Sequence, residues 1–166
     1  MRKFYFLMAA LAVFSCSGKY GKGGDNAAQF VREQVPGLRA DIERIEVVGV
    51  DTLLSDVGLM FASNRASSAK MAFYAGRLSY DEVDFVLDSC AAELLHVNNS
   101  WRYGVTPKGD GKYASQLRIV YTIRVTMKSG QVKEPRVLME ADGVTPRMLE
   151  RDFETELLNY QSMFHL

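Results

Sequence analysis

Residues 117–127, Leu-Arg-Ile-Val-Tyr-Thr-Ile-Arg-Val-Thr-Met, form the clearest strand pattern in the chain. Apolar residues occupy every second position, and this period of two is typical of a β-strand with one buried face. Lys128-Ser129-Gly130 follows, and a second apolar stretch comes directly after it. The three segments together predict a β-hairpin.

The length of the hairpin loop decides which residues pair across the two strands. A two-residue loop at Ser129-Gly130 would set Ile123 opposite Arg136, which places an apolar residue against a charged one. A three-residue loop, 128–130, puts Gly130 at the left-handed position that such loops favour. It also pairs apolar residues across the buried face: Tyr121 with Val137, and Ile119 with Met139. We therefore expect the three-residue loop.

The same register pairs opposite charges on the other face of the hairpin. Arg124 lies across from Glu134, and Arg118 lies across from Glu140. These pairs explain both arginines without an anion site. Exposed ion pairs of this kind contribute only about 0.2–1 kcal/mol each to stability.

Helices and one strand are predicted before this hairpin. Asp25 or Asn26 can cap a helix that ends at Pro36-Gly37, and the alanine-rich residues 64–78 favour a second helix. Between them, residues 45–50 (Ile-Glu-Val-Val-Gly-Val) favour a strand because β-branched residues dominate.

Ser79 and Glu82 have the spacing of a capping box, which marks the start of another helix. Apolar residues at spacings of three and four predict one buried face on it: Val83, Val86, Leu87, Cys90, Leu94 and Val97. We expect this helix to end at Asn98-Asn99. The alternation of Trp101, Tyr103 and Val105 with polar or small residues then predicts a strand.

Thr145-Pro146 predicts the start of a final helix, with threonine as the cap. Its apolar stripe comprises Leu149, Phe153, Leu157, Tyr160 and Phe164, and the apolar face of residues 117–127 is available to pack against it. The predicted fold is α+β: the N-terminal helices and the C-terminal helix pack on one face of an antiparallel sheet whose meander spans residues 101–141. This element order resembles the cystatin-like and nuclear-transport-factor-like cones.

The composition fits one globular domain. The 166 residues are 48% apolar and 24% charged, with 20 basic and 20 acidic side chains. Such a chain is neither a disordered segment nor a coiled-coil rod. Without Arg2 and Lys3 the balance is 18 basic to 20 acidic residues, so electrostatics give no reason to expect nucleic acid as a partner.

The first sixteen residues have the pattern of an export signal. Arg2 and Lys3 precede an apolar run, residues 4–14, that is shorter than the roughly 20 residues that a bilayer-spanning helix needs. Val13-Phe14-Ser15-Cys16 resembles the lipobox of bacterial lipoproteins in the relaxed form of the Bacteroidota. The resemblance implies cleavage after residue 15 and acylation of Cys16. An ordinary cleaved signal with an incidental cysteine is the alternative.

These features predict a signal peptide at residues 1–15, a flexible glycine-rich tether at 16–25 and a single domain at 26–166. The acyl group on Cys16 would attach the protein to the bacterial cell envelope. Surface-exported relatives of this class tend to carry acidic residues after the cysteine, whereas this chain has Lys19 and Lys22. We therefore expect an outer-membrane location facing the periplasm.

Aromatic residues of the predicted sheet are the candidate ligand-binding residues: Trp101, Tyr103, Tyr113 and Tyr121. Aromatic side chains on one sheet face can line a concave pocket, although packing in a core is the favoured interpretation. Asp51-Thr52-Leu53 matches a short O-glycosylation motif of secreted Bacteroidota proteins, which makes Thr52 a candidate glycosylation site.

The sequence contains no recognisable catalytic or metal-binding pattern. Its two histidines, His96 and His165, have no second ligand at zinc spacing, and Asp84 and Asp88 are expected on a solvated helix face. Cys90 is expected to be buried. No cofactor or metal is predicted.

The leading functional hypothesis is a non-enzymatic envelope lipoprotein that binds another envelope protein or a small ligand. One alternative is a small envelope enzyme built around Tyr and Asp side chains. Another is an inhibitor or immunity-type lipoprotein that inserts the 106–112 loop into a hydrolase.

Overall fold

The computed structural model describes residues 19–34, 40–105 and 111–166, and it has the α+β fold that the sequence predicts. Its elements are, in chain order, α1 (Gly21–Gln34), β1 (Ile42–Leu54), α2 (Val57–Tyr74), α3 (Tyr80–Tyr103), a 3₁₀ helix (Gly111–Gln116), β2 (Leu117–Met127), β3 (Val132–Lys133), β4 (Arg136–Met139), β5 (Pro146–Leu149) and α4 (Glu150–Met163). The predicted signal peptide, Cys16 and residues 106–110 of the predicted inhibitor loop lie outside the described residues.

The hairpin has the predicted register. Tyr121 pairs with Val137. Gly130 has a φ of 81°, and the amide of Met127 donates to the carbonyl of Gln131 at 2.8 Å. These contacts confirm the three-residue loop.

One of the two predicted charge pairs is present. Arg124 Nε lies 2.7 Å from Glu134 Oε1. Arg118, however, makes no ion pair with Glu140. Its guanidinium donates instead to two nearby backbone carbonyls, those of Ser115 and Leu117. That predicted pair is therefore wrong, because the end of the 3₁₀ helix offers acceptors closer to Arg118 along the chain.

The sheet has the order β1-β2-β4-β5, is antiparallel throughout and has β3 paired with β2. Because side chains alternate along each strand, the sheet has two faces, and both are apolar. Ala27 and Val31 of α1 pack with Tyr121 and its neighbours on one face. On the other face, Val120 belongs to a larger cluster that contains the buried residues of α2, α3 and α4. The C-terminal helix packs on the Val120 face of the sheet. The packing of this helix against the Tyr121 face, which the sequence analysis predicts, is therefore wrong.

Most helical patterns that the sequence contains are confirmed. Ser79 and Glu82 form the capping box, with the Ser79 amide donating to Glu82 Oε2 at 2.8 Å. The predicted face of α3 is buried, with Val86 half-buried at its edge. The stripe of the last helix is also internal, and Phe153 and Phe164 are among the most deeply buried side chains.

α3 is longer than expected and includes Trp101 and Tyr103, so the strand predicted at 101–105 is wrong. The helix ends only at Gly104, where φ is 77°. Tertiary contacts explain the extension. Ser100 Oγ accepts a hydrogen bond from the Leu54 amide at 3.2 Å, and Trp101 Nε1 donates to the Leu54 carbonyl at 2.8 Å. Both bonds require Ser100 and Trp101 to stay on the helix.

The last helix begins at Glu150 rather than at Thr145-Pro146, because Pro146–Leu149 forms β5. Asp142 accounts for the difference. Its carboxylate accepts hydrogen bonds from the Thr145 hydroxyl, at 2.6 Å, and from the amides of Thr145 and Val144. These bonds, with the Thr145 hydroxyl first, lower the pKa of Asp142 to about 2. Thr145 therefore closes a turn that leads into an edge strand, where proline is tolerated.

α1 begins at Gly21, so residues 21–25 of the predicted tether are helical. Two glycines explain the close packing of this first turn. A Cβ on Gly23 would lie 2.4 Å from the Gly143 carbonyl oxygen, and one on Gly24 would lie 3.2 Å from Val47 Cγ2. Only glycine lets the helix backbone approach the sheet and the 140–145 turn so closely.

The change Gly23→Ala tests this packing. The added methyl must displace the Gly143 backbone, so we expect a loss of about 1–3 kcal/mol in the free energy of unfolding. That loss should outweigh the gain of up to about 1 kcal/mol that alanine brings to a helix. Urea denaturation measures the difference.

Gly111→Ala is the matched control, because a Cβ at Gly111 meets nothing within 4 Å and Gly111 is also helical. Equal stability of the Gly23→Ala protein and the control would show that the first turn of α1 does not pack on the sheet as described.

Candidate functional site

A groove of about 320 Å³ lies on the α1 face of the sheet, beyond the end of that helix. Its apolar residues come from four different elements: Val31, Ile42, Val125, Met127 and Leu149. α1 ends at Gln34, and Val31 is its last buried residue. The sheet extends past this point, and its last apolar positions form the floor of the groove.

Charged residues of both signs form the rim of this groove. Lys133 and Arg136 come from the strands β3 and β4, and the first two turns of α4 supply Glu150, Arg151 and Glu154. Arg136 already pairs with Glu150 at 3.0 Å, and Arg151 lies 3.4 Å from Asp152. Lys133 belongs to the two-residue strand β3 and is exposed. The rim can therefore orient a polar group while the floor holds an apolar one.

A second groove, of about 390 Å³, runs between the end of α3 and α4. Trp101, Phe153 and Leu157 form its apolar part, and Arg102 and Gln161 are among its polar residues. It is lined by polar and apolar groups in similar measure, whereas the first groove is mainly apolar. We take the first groove as the candidate binding site because its apolar surface is larger.

A buried polar cluster connects the start of α2 with β5 and α4. Asp56 is 2% exposed, and Arg147 binds both of its carboxylate oxygens, at 2.5 and 2.6 Å. Glu156 lies beside this pair and has Oε2 buried without a hydrogen-bond partner. Burial raises the pKa of Glu156, and the negative charge of Asp56 raises it further.

Tyr160 completes this polar cluster. Burial raises the pKa of Tyr160, and the charges of Asp56 and Glu156 add to the effect. A carboxyl with a raised pKa next to a tyrosine can in principle exchange protons with a bound molecule. However, these four side chains line neither of the two grooves described above. Their clear role is structural, since Arg147 neutralises the buried carboxylate of Asp56.

The aromatic residues singled out from the sequence do not form one surface. Trp101 stacks on Phe153 with ring centroids 4.4 Å apart and is half-buried. Tyr103 is 80% exposed at the end of α3. Tyr121 is buried on the other side of the sheet, beneath α1. A shared pocket of Trp101, Tyr103 and Tyr121, the less favoured of the two interpretations, is therefore wrong, because the first two belong to a helix.

Other residues considered from the sequence have simple surroundings. His96 packs against Tyr113 with ring centroids 4.3 Å apart and the rings tilted by 34°, and its Nε2 is buried without a partner. Cys90 is fully buried, and its thiol donates to the Ala62 carbonyl at 3.3 Å. Asp84 and Asp88 are exposed on α3. Thr52 is exposed on β1, which forms one edge of the sheet.

The residues of the candidate groove were not identified from the sequence as a site. Val31, Ile42 and Leu149 are far apart in the chain and come together only through the sheet order. The alternation of residues 117–127 does mark Val125 and Met127 as apolar, but it cannot show that residues from other strands and from α1 meet them at one groove.

The pKa of Glu156 gives a testable pH dependence. A carboxyl whose pKa is raised on folding binds its proton more tightly in the folded state, so it lowers stability as the pH rises past its unfolded pKa. Glu156→Gln carries an uncharged group at every pH. We therefore expect this variant to unfold at a higher temperature than the wild type at pH 7–8, with the difference shrinking towards pH 4.

Glu154→Gln is the control for this experiment, since Glu154 is exposed on the same helix. Thermal unfolding across pH 4–8 measures both variants. If Glu156→Gln and Glu154→Gln follow the same pH curve, Glu156 is not part of a buried cluster.

Comparisons with known proteins give no relative for this chain. No family model, no curated protein and no solved structure matches it. The resemblance to cystatin-like and nuclear-transport-factor-like cones thus stays a prediction. Within residues 19–34, 40–105 and 111–166, no helix combines the length and the apolar character needed to cross a bilayer. In the same part of the chain, no three metal-ligating side chains lie together.

Proposed function

We propose that this protein is a lipid-anchored binding protein of the bacterial cell envelope, without enzymatic activity. Its acylated Cys16 would hold it on the outer membrane, facing the periplasm. The observation that carries the binding role is the groove of about 320 Å³, with its mainly apolar floor and charged rim. Grooves of about 300 Å³ and above are the size in which proteins bind small molecules.

The pattern of residues 2–16 supports the anchor. A basic start, an apolar run of eleven residues and a lipobox-like end precede Cys16. The first helix begins at Gly21, five residues after the cysteine, so the folded domain starts shortly after the proposed anchor. Lys19 and Lys22 are both exposed on the surface of the protein.

The groove suits the apolar part of a small ligand, or an apolar side chain that an envelope protein projects. Ile42, Val125 and Met127 would contact the apolar part. Lys133 and Arg151 would bind an acidic group at the rim, since both are exposed, whereas Arg136 is half-buried and paired with Glu150. No nucleic acid, metal or cofactor enters the proposal.

A small envelope enzyme is the second candidate, and the Asp56–Glu156–Tyr160 cluster is the observation that favours it. A carboxyl with a raised pKa is typical of acid–base sites. The cluster would need an opening to a groove before it could act on a substrate. Measurable turnover of cell-wall, glycan or ester substrates by the purified protein would favour this second candidate.

Thr52 remains the proposed site of O-glycosylation. Its exposure on the edge strand β1 leaves the hydroxyl accessible to a modifying enzyme. The inhibitor alternative depends on residues 106–112, of which only Gly111 and Lys112 are described, at the start of the 3₁₀ helix.

The change Cys16→Ala tests the anchor. We expect the variant to accumulate as an unprocessed precursor without an acyl group, because no thiol is available to accept the lipid. The mass of the N-terminal peptide and the distribution between membrane and soluble fractions measure the effect. Cys90→Ala is the control, since Cys90 is buried in the domain and should not affect acylation. A Cys16→Ala protein that still fractionates and migrates like the wild type would exclude acylation.

Site-specific photocrosslinking in intact cells tests the groove. A photoreactive residue at Lys133, on the rim, should capture a partner or ligand, and Ile42→Asp should abolish the adduct by placing a charge on the floor. The same photoreactive residue at Arg77, an exposed position after α2, is the control. Identical adducts at positions 77 and 133, or adducts that persist with Ile42→Asp, would falsify binding at the groove.

A further inference from the structure

The N-terminal end of the described chain is attached firmly to the body of the domain from Tyr20 onward. The Tyr20 hydroxyl donates to the Val48 carbonyl at 3.3 Å, and its own carbonyl accepts from the Tyr121 hydroxyl at 3.4 Å. The two tyrosine rings also meet edge to face, with centroids 6.4 Å apart.

The first turn of α1 strengthens this attachment. Gly23 and Gly24 are buried against the sheet and the 140–145 turn. Asn26 Nδ2 donates to the Val144 carbonyl at 2.9 Å. A chain that enters the domain at Tyr20 therefore has no hinge between this residue and the folded body.

The covalent distance from Cys16 to Tyr20 is short. Four residues of fully extended chain span at most about 14 Å, at roughly 3.3–3.6 Å per residue. A domain of this size has a radius of gyration of about 15 Å. If Cys16 carries the lipid, Tyr20 must therefore stay within about 14 Å of the bilayer surface. This distance is about the radius of gyration of the domain, so the Tyr20 side of the domain stays next to the membrane.

We propose that the domain lies with its Tyr20 end against the phospholipid headgroups, and that the candidate groove opens at the opposite end. The Tyr20 end comprises Lys19, Tyr20, Lys22 and the first turn of α1. This inference rests on the proposed acylation of Cys16. It means that one side of the domain stays in contact with the membrane, whereas a long flexible tether would let the domain rotate freely.

The side chains at the Tyr20 end suit contact with headgroups. Lys19 and Lys22 are exposed, and the Lys19 ammonium lies 5.4 Å from the centre of the Tyr20 ring. Lysine keeps its ammonium in the polar layer while its aliphatic stem contacts less polar groups. Both ammonium groups can therefore bind phosphates of the lipids, even though the mature chain as a whole is slightly acidic.

The groove lies at the ends of α1 and β2 that are farther from Tyr20. Val31, at its edge, is ten residues along α1 from Gly21, which corresponds to about 15 Å. Met127, on its floor, is six residues along β2 from Tyr121, which corresponds to about 20 Å. A periplasmic partner could thus reach the groove without displacing the protein from the membrane.

Fluorescence quenching on the lipidated protein tests this orientation. The protein is purified from membranes as Lys22→Cys or Lys133→Cys and labelled with a fluorophore, since the Cys16 sulfur is acylated and Cys90 is buried. It is then reconstituted in vesicles of phosphatidylethanolamine and phosphatidylglycerol that contain a headgroup-attached nitroxide quencher. We expect the label at position 22 to be quenched at least several-fold more than the label at position 133.

A second variant tests the short reach directly. Fifteen Gly and Ser residues inserted after Ser17 extend the chain without changing the folded body, and we expect quenching at position 22 to fall towards that at position 133. Equal quenching at both positions in the protein of native length would overturn the inference. Unchanged quenching at position 22 after the insertion would overturn it as well.

Failure of the anchor gives a different result from failure of the orientation. Without acylation of Cys16, the N-terminal peptide lacks the lipid mass, the protein does not float with vesicles and neither label is quenched. If the protein is acylated and floats but both labels are quenched equally, the anchor stands and only the orientation is wrong.

Discussion

The junction between β1 and α2 holds the fold together. Residues 53–56 are almost completely buried, and the polar groups near the turn bind three different elements. α3 supplies Ser100 and Trp101 to the Leu54 backbone, and the Ser55 amide donates to the Gln116 carbonyl at 2.9 Å. Arg147 of β5 neutralises Asp56. Removal of any one partner would leave a buried backbone or charged group without a hydrogen bond, which is costly in a protein interior.

This junction also explains how the two faces of the sheet differ. The three helices that meet at it cover one face with a continuous cluster, from Leu54 to Phe164. The opposite face has only α1, which is 14 residues long and is kept close to the sheet by two glycines. The end of that face, beyond Val31, has no helix over it among the described residues. The candidate groove lies at this end of the sheet, next to the last buried residue of α1.

Local patterns predicted the parts of the fold that depend on neighbouring residues. The Ser79–Glu82 capping box, the stripe of α3 and the loop at Gly130 each depend on side chains within a few positions of one another. The strand predicted at Trp101 and the helix start predicted at Thr145 are wrong because the hydrogen-bond partners of these residues determine their secondary structure. Trp101 stays helical through a bond to a residue 47 positions away, and Thr145 binds Asp142 rather than capping a helix. The Asp56–Arg147 pair spans 91 residues, and no sequence spacing indicates it.

The long edge strand β1 could pair with the same strand of a neighbouring copy of the protein. Thirteen residues of unprotected edge would invite another strand to pair, which leads to aggregation. Here irregularities in the pairing after Ile42 and after Val47 interrupt a regular edge, and charged Arg44 and Glu46 lie between them. The Tyr20 hydroxyl binds the carbonyl of Val48. If copies of the protein were crowded on a membrane, the first half of β1 would therefore offer them no regular edge on which to extend a shared sheet.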